Sequence, residues 1–311
     1  MQKKKNIRLL LALIMVVTVV TLLHYAKSIN DNLGVEKTIF QLADQQEITD
    51  VFLESAHAKT HFKYQKGRWT LNDTLFLDQS MRDVFFSVLS RIEVQKPVPQ
   101  LLKDSIVSYL KTSGVKATIT FGDEVISEYW IGGNKELEIS WAMDSKDEIP
   151  YQVHIAGYQS YIAGIFDVPV TDWRSRFVFN INFALLHKIE IEYAKTEENL
   201  ELYYKNNFFE VPDIIADSTK IANFLDRLAY LQADSFIEQN KITDEYDSLI
   251  QNRALFATLK MIKTSGEVDS ITFYQKPFDK KFIFAKTNDK SLCKFNFARI
   301  KGIFRISTDF E

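Results

Sequence analysis

The stretch Phe62–Ile92, FKYQKGRWTLNDTLFLDQSMRDVFFSVLSRI, decides how this chain folds, because a related stretch follows 140 residues later at Leu202–Gln232, LYYKNNFFEVPDIIADSTKIANFLDRLAYLQ. The two stretches share few identical residues but keep the same spacing of apolar and aromatic positions. The aligned pairs include Phe62 with Leu202, Tyr64 with Tyr204, Trp69 with Phe209, Leu71 with Val211 and Asp73 with Asp213. An internal repeat of this length predicts two copies of one structural module.

Each copy begins with alternating apolar residues and continues with helical spacing. In the first copy, two alternating runs meet at Lys66-Gly67, which predicts a β-hairpin with a tight turn. Asp78 precedes a helix whose apolar residues recur three and four positions apart. The predicted buried face is Met81, Val84, Phe85, Val88, Leu89 and Ile92. This helix needs a sheet to pack on, so the predicted fold class is α+β.

The sequence pattern in the rest of the chain predicts further antiparallel strands. A hairpin is expected across Gly122-Asp123, a turn at Gly132-Gly133, and a second helix in the later copy near Thr243. The predicted domains are a basic tail at 1–8, a transmembrane anchor at 9–26, a linker at 27–38, a first α+β module at 39–170 and a second, divergent module at 171–311. Each module is expected to be an antiparallel sheet with packed helices.

Residues Leu9–Ala26 carry no charge and are mostly apolar, which is near the shortest length that can span a membrane as a helix. Basic residues precede this run, so the positive-inside rule places the N-terminus in the cytoplasm and the body in the periplasm. A cleaved signal peptide with a site near Ala26-Lys27-Ser28 is the alternative. A core helix is less compatible with the flanking lysines.

Charge is unevenly distributed along the chain. Residues 1–28 carry a charge of +5, while the whole chain carries −3, so the remainder carries −8. An acidic body does not attract phosphate backbones, and nucleic-acid binding is therefore not expected. The single cysteine, Cys293, excludes an internal disulfide.

No residue pattern predicts catalysis, a cofactor or a metal. His57 and His61 have the spacing of two zinc ligands on a helix, but they fall in a predicted strand connection without a third ligand. Cys293 lies in a strand-like segment and is expected to be a buried apolar side chain. The sequence contains no nucleophile elbow and no glycine-rich phosphate loop. The protein is therefore not expected to be an enzyme.

The most suggestive polar cluster is Asp172, Trp173, Arg174 and Arg176. An exposed tryptophan between charged residues could anchor a partner protein, since Trp and Arg are common in binding hot spots. Alternatively, the cluster begins the second module, and Asp172 or an arginine pairs across the seam between the modules. We favour the second, structural interpretation. The hypothesis is that these four residues either bind a partner or lie at the seam between the modules.

Several phrases resemble a known bacterial family. They are Trp69-Thr70-Leu71-Asn72, Val94 with Pro97-Val98, Ile131-Gly132-Gly133, Pro150-Tyr151 with Val153, Ile155 and Gly157, and Asp172-Trp173-Arg174. Together they resemble the domain-of-unknown-function 4340 family in its Bacteroidetes-like form, whose genes often neighbour those of gliding-type ABC transporters. The resemblance implies a single-pass envelope protein with extracytoplasmic repeats, and it carries no catalytic residue.

These observations predict a non-enzymatic, membrane-anchored envelope protein that serves as an accessory or scaffold subunit of a membrane complex. The family resemblance alone suggests an ABC-type transporter as the partner. The alternatives are an extracytoplasmic ligand-binding or hydrolytic protein with a site between the modules, and a protein that captures peptides at an exposed sheet edge.

Overall fold

The computed structural model describes residues 13–21, 36–42, 48–237, 255–274 and 281–311. The fold is α+β, with two antiparallel sheets and few helices. The predicted basic tail at 1–8 lies outside the described residues, as does the helix expected near Thr243. Of the predicted anchor at 9–26 and linker at 27–38, only 13–21 and 36–38 are described.

The described strands follow one another along the chain. They are β1 (Asp50–Glu54), β2 (Lys59–Gln65), β3 (Arg68–Leu71), β4 (Leu75–Phe76), β5 (Ile92–Pro97), β6 (Val115–Phe121), β7 (Glu124–Asn134), β8 (Ile139–Asp144), β9 (Pro150–Ile155), β10 (Leu186–Tyr193), β11 (Leu200–Lys205), β12 (Phe208–Glu210), β13 (Ser235–Phe236), β14 (Leu255–Lys263), β15 (Val268–Tyr274), β16 (Phe282–Thr287) and β17 (Leu292–Asn296).

The helices with both ends described are short. They are α1 (Gln79–Leu89), α2 (Gln100–Ser113), α3 (Val170–Trp173), α4 (Ser218–Ala229) and α5 (Phe297–Ile300). Single 3₁₀ turns follow β9 at Ile162–Ile165 and α5 at Lys301–Ile303. Residues 13–21 are helical as well. Among the described residues, no helix combines the length and the apolar character needed to cross a membrane.

The described chain divides into two compact units. Unit 1 contains the residues up to His57 together with Phe85–Asp167, and unit 2 contains Ala58–Val84 together with Val168–Glu311. This division departs from the predicted boundary between 170 and 171, because the segment Ala58–Val84 packs with the second half of the chain. The peptide N–H of Asp78 donates to the carbonyl oxygen of Trp173 at 2.8 Å, and that of Ser175 donates to Phe76 at 2.8 Å.

Unit 1 is built on strands in the order β1-β6-β7-β8-β9-β5. Its core contains a cluster of edge-to-face aromatic rings: Tyr129 lies 5.4 Å from Phe40 and 6.1 Å from Phe166, and Phe85 lies 5.2 Å from Phe166. All four rings are buried. Burial of side chains of this size supplies much of the apolar area that stabilises a domain.

Unit 2 contains the hairpin of β2 and β3 with the short β4, and an eight-stranded sheet in the order β12-β11-β10-β14-β15-β16-β17-β13. Six of these strands, β10-β14-β15-β16-β17-β13, have the connectivity of the six in unit 1. In each sheet one strand pairs with the first strand of a four-stranded meander. The strand at the far edge of the meander precedes the meander in sequence. Two copies of one module would produce this shared order.

The two repeated hairpins also share their register. Tyr64 pairs with Trp69 across the first hairpin, and Tyr204 pairs with Phe209 across the second, with ring centroids 5.5 and 5.2 Å apart. Both turns have positive φ at their two central residues, 51° and 78° at Lys66-Gly67 and 50° and 64° at Asn206-Asn207. Positive φ at both positions is typical of the type I′ turn, whose twist matches that of the strands.

The buried face of α1 differs from the prediction. The helix buries Phe85, Phe86 and Leu89, whereas Val84 is 51% exposed. Two phenyl rings bury more apolar area than one valine, so the helix turns its adjacent Phe85 and Phe86 inward. In α4 the residues that the 140-residue offset aligns with Met81, Val84, Phe85 and Val88 are all buried, namely Ile221, Phe224, Leu225 and Leu228.

The turn expected at Gly132-Gly133 was wrong, because both glycines lie inside β7. A Cβ on Gly133 would lie 2.1 Å from the carbonyl oxygen of Ile139, and one on Gly132 would lie 3.2 Å from the side chain of Leu110. The hydroxyl of Tyr109 donates to the carbonyl of Gly133 at 2.7 Å. The glycines therefore allow α2 and β8 to approach β7 closely.

Candidate functional site

Trp173 is a core residue of unit 2. Its side chain is fully buried, and its ring lies edge-to-face against Phe62 with centroids 4.7 Å apart. A partner anchor must present its ring to solvent, so the hypothesis of an exposed tryptophan anchor was wrong. The nearby Asp172 and Arg176 are exposed, and the carbonyl oxygen of Arg176 accepts the peptide N–H of Ala233 at 2.9 Å.

Arg174 does form an ion pair, but inside unit 2 and not across a seam between modules. One guanidinium nitrogen donates to Ser291 Oγ at 2.5 Å and the other to Asp289 Oδ2 at 3.0 Å. The guanidinium carbon lies 3.7 Å from the ring centroid of Phe236. Burial lowers the pKa of Arg174, against the opposing charge of Asp289. The side chain keeps its charge and clamps the β16–β17 turn to the segment after α3.

Cys293 and the paired histidines do not form a reactive site. Cys293 is buried as predicted, its thiol donates to the carbonyl of Ala285 at 3.3 Å, and burial raises its pKa. A protonated, enclosed thiol is a poor nucleophile. His61 lies in β2 with Nδ1 3.6 Å from Asp73, whereas His57 lies in the connection before that strand. Across the described ranges, no group of three His, Cys, Asp or Glu residues could hold a metal ion.

A cleft of unit 2 that could bind a ligand or a partner lies beside the first repeated hairpin, and we call it the aromatic cleft. Its volume is about 610 Å³. Aromatic side chains line it, namely Trp69, Phe76, Phe177 and Phe179, and Arg68 and Arg82 add positive charge. Phe177 is 42% exposed, which is unusual for a ring of this size in a folded domain.

Arg68 gives the aromatic cleft a cation, and Asp78 is a carboxylate in the same lining. Its guanidinium carbon lies 4.8 Å from the ring centroid of Phe76, and no carboxylate forms an ion pair with it among the residues that the structure describes. Arg82 instead donates through two nitrogens to Asp83 at 2.9 and 2.6 Å. The cleft therefore offers apolar ring faces next to one available guanidinium, a combination suited to a ligand with apolar and acidic groups.

A smaller groove of about 250 Å³ occupies the equivalent place beside the second hairpin. The 140-residue offset relates its Asn207, Phe208, Phe209 and Ala222 to Gly67, Arg68, Trp69 and Arg82 of the aromatic cleft. The aromatic position is kept, while both arginines are replaced by uncharged residues. The position of the groove is shared by the two hairpins, but only the first carries positive charge.

Arg68 and Phe177 were not predicted from the sequence as binding residues. A comparison of the repeats would have drawn attention to Arg68, because Phe208 stands at the equivalent position. Phe177 carries no such signal, since only the fold brings the segment after α3 against the first hairpin.

Comparisons with known proteins leave the resemblance untested. No family model matches the chain, no curated protein matches its sequence, and no solved structure matches its fold. The architecture alone therefore defines the class of the protein, which is an α+β chain with two antiparallel sheets of partly shared connectivity.

Proposed function

We propose that this protein is a single-pass membrane protein of the bacterial envelope that serves as an accessory or scaffold subunit of a membrane complex. In this proposal residues 9–26 anchor it, and the aromatic cleft binds a segment of a partner protein that carries apolar and acidic side chains. The residues after the anchor lie in the periplasm.

The observation that carries the anchor is the surface of the helix at 13–21. Its apolar side chains are 48–71% exposed, among them Met15 at 71% and Val19 at 48%. The hydroxyls of Thr18 and Thr21 donate to the carbonyls of Ile14 and Val17 at 2.8 and 2.9 Å. A lipid-facing helix requires apolar exposure together with polar groups that are satisfied within the helix.

Partner binding is supported by the chemistry of the aromatic cleft. Exposed aromatic rings beside an available arginine are the residue types that contribute most at protein interfaces. The body of the chain is acidic, so Arg68 is a local exception that favours an acidic partner segment. The family resemblance makes the permease of an ABC-type transporter the first partner to examine.

Deletion of residues 9–26 tests the anchor. We expect the full-length chain to sediment with membranes and to resist extraction by alkaline carbonate, and the deleted chain to remain in the supernatant. An external protease should digest the body of the full-length protein only after the outer barrier of the cell is opened. Full-length protein in the soluble fraction would exclude the anchor.

Site-specific photo-crosslinking in the cells that produce the protein tests the cleft. A photoreactive residue at Phe177 should yield a discrete crosslinked partner, whereas one at Ile215, which is 98% exposed in the same unit, should not. Arg68→Glu, which reverses the charge, should weaken the Phe177 crosslink. Arg68→Phe copies Phe208 of the smaller groove and only removes the charge, so the two variants distinguish loss of charge from charge reversal. Identical crosslinks from both positions, or none from Phe177, would contradict the proposal.

A further inference from the structure

A third concave site in unit 2 is strongly basic, and we call it the basic pocket. It lies between α4 and the two 3₁₀ turns that follow α5, Lys301–Ile303 and Ser307–Phe310, and its volume is about 400 Å³. Lys220, Asn223, Arg227 and Arg305 line it, with Asp309 as the one carboxylate of the lining. The volume is within the range of small-molecule sites. This concentration of positive charge contrasts with the acidic body of the chain.

Helix α4 positions three of these side chains. Lys220, Asn223 and Arg227 follow one another at spacings of three and four residues, so they lie along one face of the helix. The buried face of α4 fixes the rotation of the helix, since Ile221, Phe224, Leu225 and Leu228 pack into the core. The polar face is therefore held toward the pocket by the core of the unit.

Arg227 lies directly against Gly302. A Cβ built on Gly302 would lie 2.5 Å from one guanidinium nitrogen of Arg227 and 3.0 Å from its Cζ, so a side chain at position 302 would displace this guanidinium. No ion pair or hydrogen bond of its guanidinium is found within the described part of the chain. The guanidinium carries five N–H donors in a flat fork and lines the pocket, where these donors can bind a ligand.

Gly302 also brings a second arginine to the same place. Arg305 Nε donates to the carbonyl oxygen of Gly302 at 3.2 Å, and its Nη1 lies 3.7 Å from Asp309 Oδ1. Lys220 Nζ donates to the main-chain oxygen of Glu311. Two guanidinium groups therefore contact one glycine, with one carboxylate nearby. Because both guanidinium groups lie beside Gly302 and carry the same charge, they repel each other, and a bound anion would offset this repulsion.

The balance of charge and donors indicates the class of anion. Lys220, Arg227 and Arg305 against Asp309 leave the lining with two net positive charges. A phosphate monoester carries about −1.5 to −2 at neutral pH and offers three oxygens as acceptors. A carboxylate carries one charge and two oxygens. The two arginine forks and the Asn223 amide together supply more donors than a carboxylate can accept.

We infer that the basic pocket binds a small phosphate-bearing ligand, with Arg227 and Arg305 gripping the phosphate oxygens and Asn223 donating a further hydrogen bond. This inference is independent of the proposed anchor and of the aromatic cleft, because it involves different residues. It describes binding, with no bond made or broken.

Titration calorimetry on the purified full-length chain tests the inference, with inorganic phosphate and glycerol phosphate as probes and acetate at equal ionic strength as the control. We expect saturable binding of both phosphates and at least tenfold weaker binding of acetate, about 1.4 kcal/mol in free energy. Acetate binding as tight as phosphate binding, or no saturable phosphate binding, would overturn it.

Variants locate the site. Arg227→Met should weaken phosphate binding at least tenfold, and Arg227→Lys, which keeps the charge and loses the fork, should have an intermediate effect. Arg176→Met changes an exposed arginine of the same unit outside the pocket and should alter binding less than twofold. Circular dichroism checks that each variant is folded. Equal losses from Arg176→Met and Arg227→Met would show non-specific attraction and overturn the assignment.

Discussion

The contacts of Arg174 join three parts of unit 2. Its guanidinium links Ser291 and Asp289 of the β16–β17 turn while lying over Phe236 of β13, and the residue next to it is the buried Trp173. Only 14% of the Arg174 side chain is exposed, so water screens its ion pair with Asp289 poorly. Loss of either partner leaves a half-buried charge without compensation.

We expect Arg174→Ala to lower the free energy of unfolding by about 2–3 kcal/mol, since it removes two charge-assisted hydrogen bonds and a cation–π contact. Urea unfolding of the full-length chain, followed by tryptophan fluorescence, measures this change. The matched control Arg176→Ala removes an exposed arginine two residues away and should change stability by less than about 0.5 kcal/mol. Similar losses in the two variants would show that Arg174 contributes no more than a surface arginine.

Asp289 makes this cluster sensitive to acid. Burial alone would raise its pKa, but the Thr287 hydroxyl, the charge of Arg174 and the N–H and hydroxyl of Ser291 outweigh burial and hold the pKa below its ordinary value of 3.8. A carboxyl group with a lowered folded-state pKa stabilises the fold above its unfolded pKa. That stabilisation is lost as the pH falls through the folded pKa.

The difference in stability between the native chain and Asp289→Asn should therefore be constant near neutral pH and should shrink as the pH falls below about 4. Urea unfolding at a series of pH values from neutral to acidic gives this difference directly. A difference that stays unchanged across the series would mean that Asp289 does not carry the lowered pKa.

At the scale of elements, the two repeated hairpins reach one turn geometry with different residues. Lys66-Gly67 and Asn206-Asn207 both place two successive residues in the left-handed region. Glycine adopts this region without strain, and asparagine adopts it at lower cost than other residues with side chains. Comparison of the two hairpins therefore shows that this turn forms with either Lys-Gly or Asn-Asn at its centre.

Gly67→Ala should destabilise unit 2 by about 1–2 kcal/mol, because alanine in the left-handed region is strained. No atom lies within 4 Å of the Cβ that alanine would add, so the effect is conformational and not steric. Gly67→Asn, which copies Asn207, should recover much of the loss. Thermal unfolding of the three chains compares them, and equal melting temperatures for the Ala and Asn variants would contradict the turn assignment.

Sequence patterns predicted most elements, because alternation and helical spacing are local properties. The hairpins at Lys66-Gly67 and Gly122-Asp123 and the helix that follows Asp78 are confirmed. The pattern failed where packing between elements decides the outcome. Phe86 is buried in place of the predicted Val84. Gly132-Gly133 allows close packing of α2 on β7 and does not form a turn.

The candidate sites were less predictable than the fold. Trp173 has flanking charges that suggest a surface, yet Phe62, more than a hundred residues earlier, covers it. Arg227 and Arg305 stand far apart in the sequence and meet only at Gly302. A local sequence pattern cannot predict such contacts, because they depend on how distant segments pack.

At the scale of the whole molecule, unit 2 consists of two segments separated in sequence by Phe85–Asp167 of unit 1. Its core needs both, because Ala58–Val84 contributes Phe62 against Trp173 and a β-bridge between Leu77 and Arg174. Splitting the chain at the boundary expected from the repeat would therefore divide the core of one unit.

A fragment of residues 168–311 should accordingly be unstable, with Trp173 exposed, whereas the same fragment preceded by 58–84 through a flexible linker should recover a folded core. Tryptophan emission and limited proteolysis distinguish the two, with a red-shifted spectrum and rapid cleavage expected for the first. Equal protection of both fragments would show that 58–84 is dispensable for this unit.

The discontinuity of unit 2 has a consequence for biosynthesis. A ribosome adds roughly 5–20 residues per second, so Trp173 follows Val84 by about 5–20 s. Throughout that interval the completed first hairpin has its apolar face without the tryptophan that later covers it. Chaperones that recognise nascent chains should therefore hold this hairpin longest, and codon changes that slow translation between Val84 and Trp173 should lower the yield of folded protein without altering one amino acid.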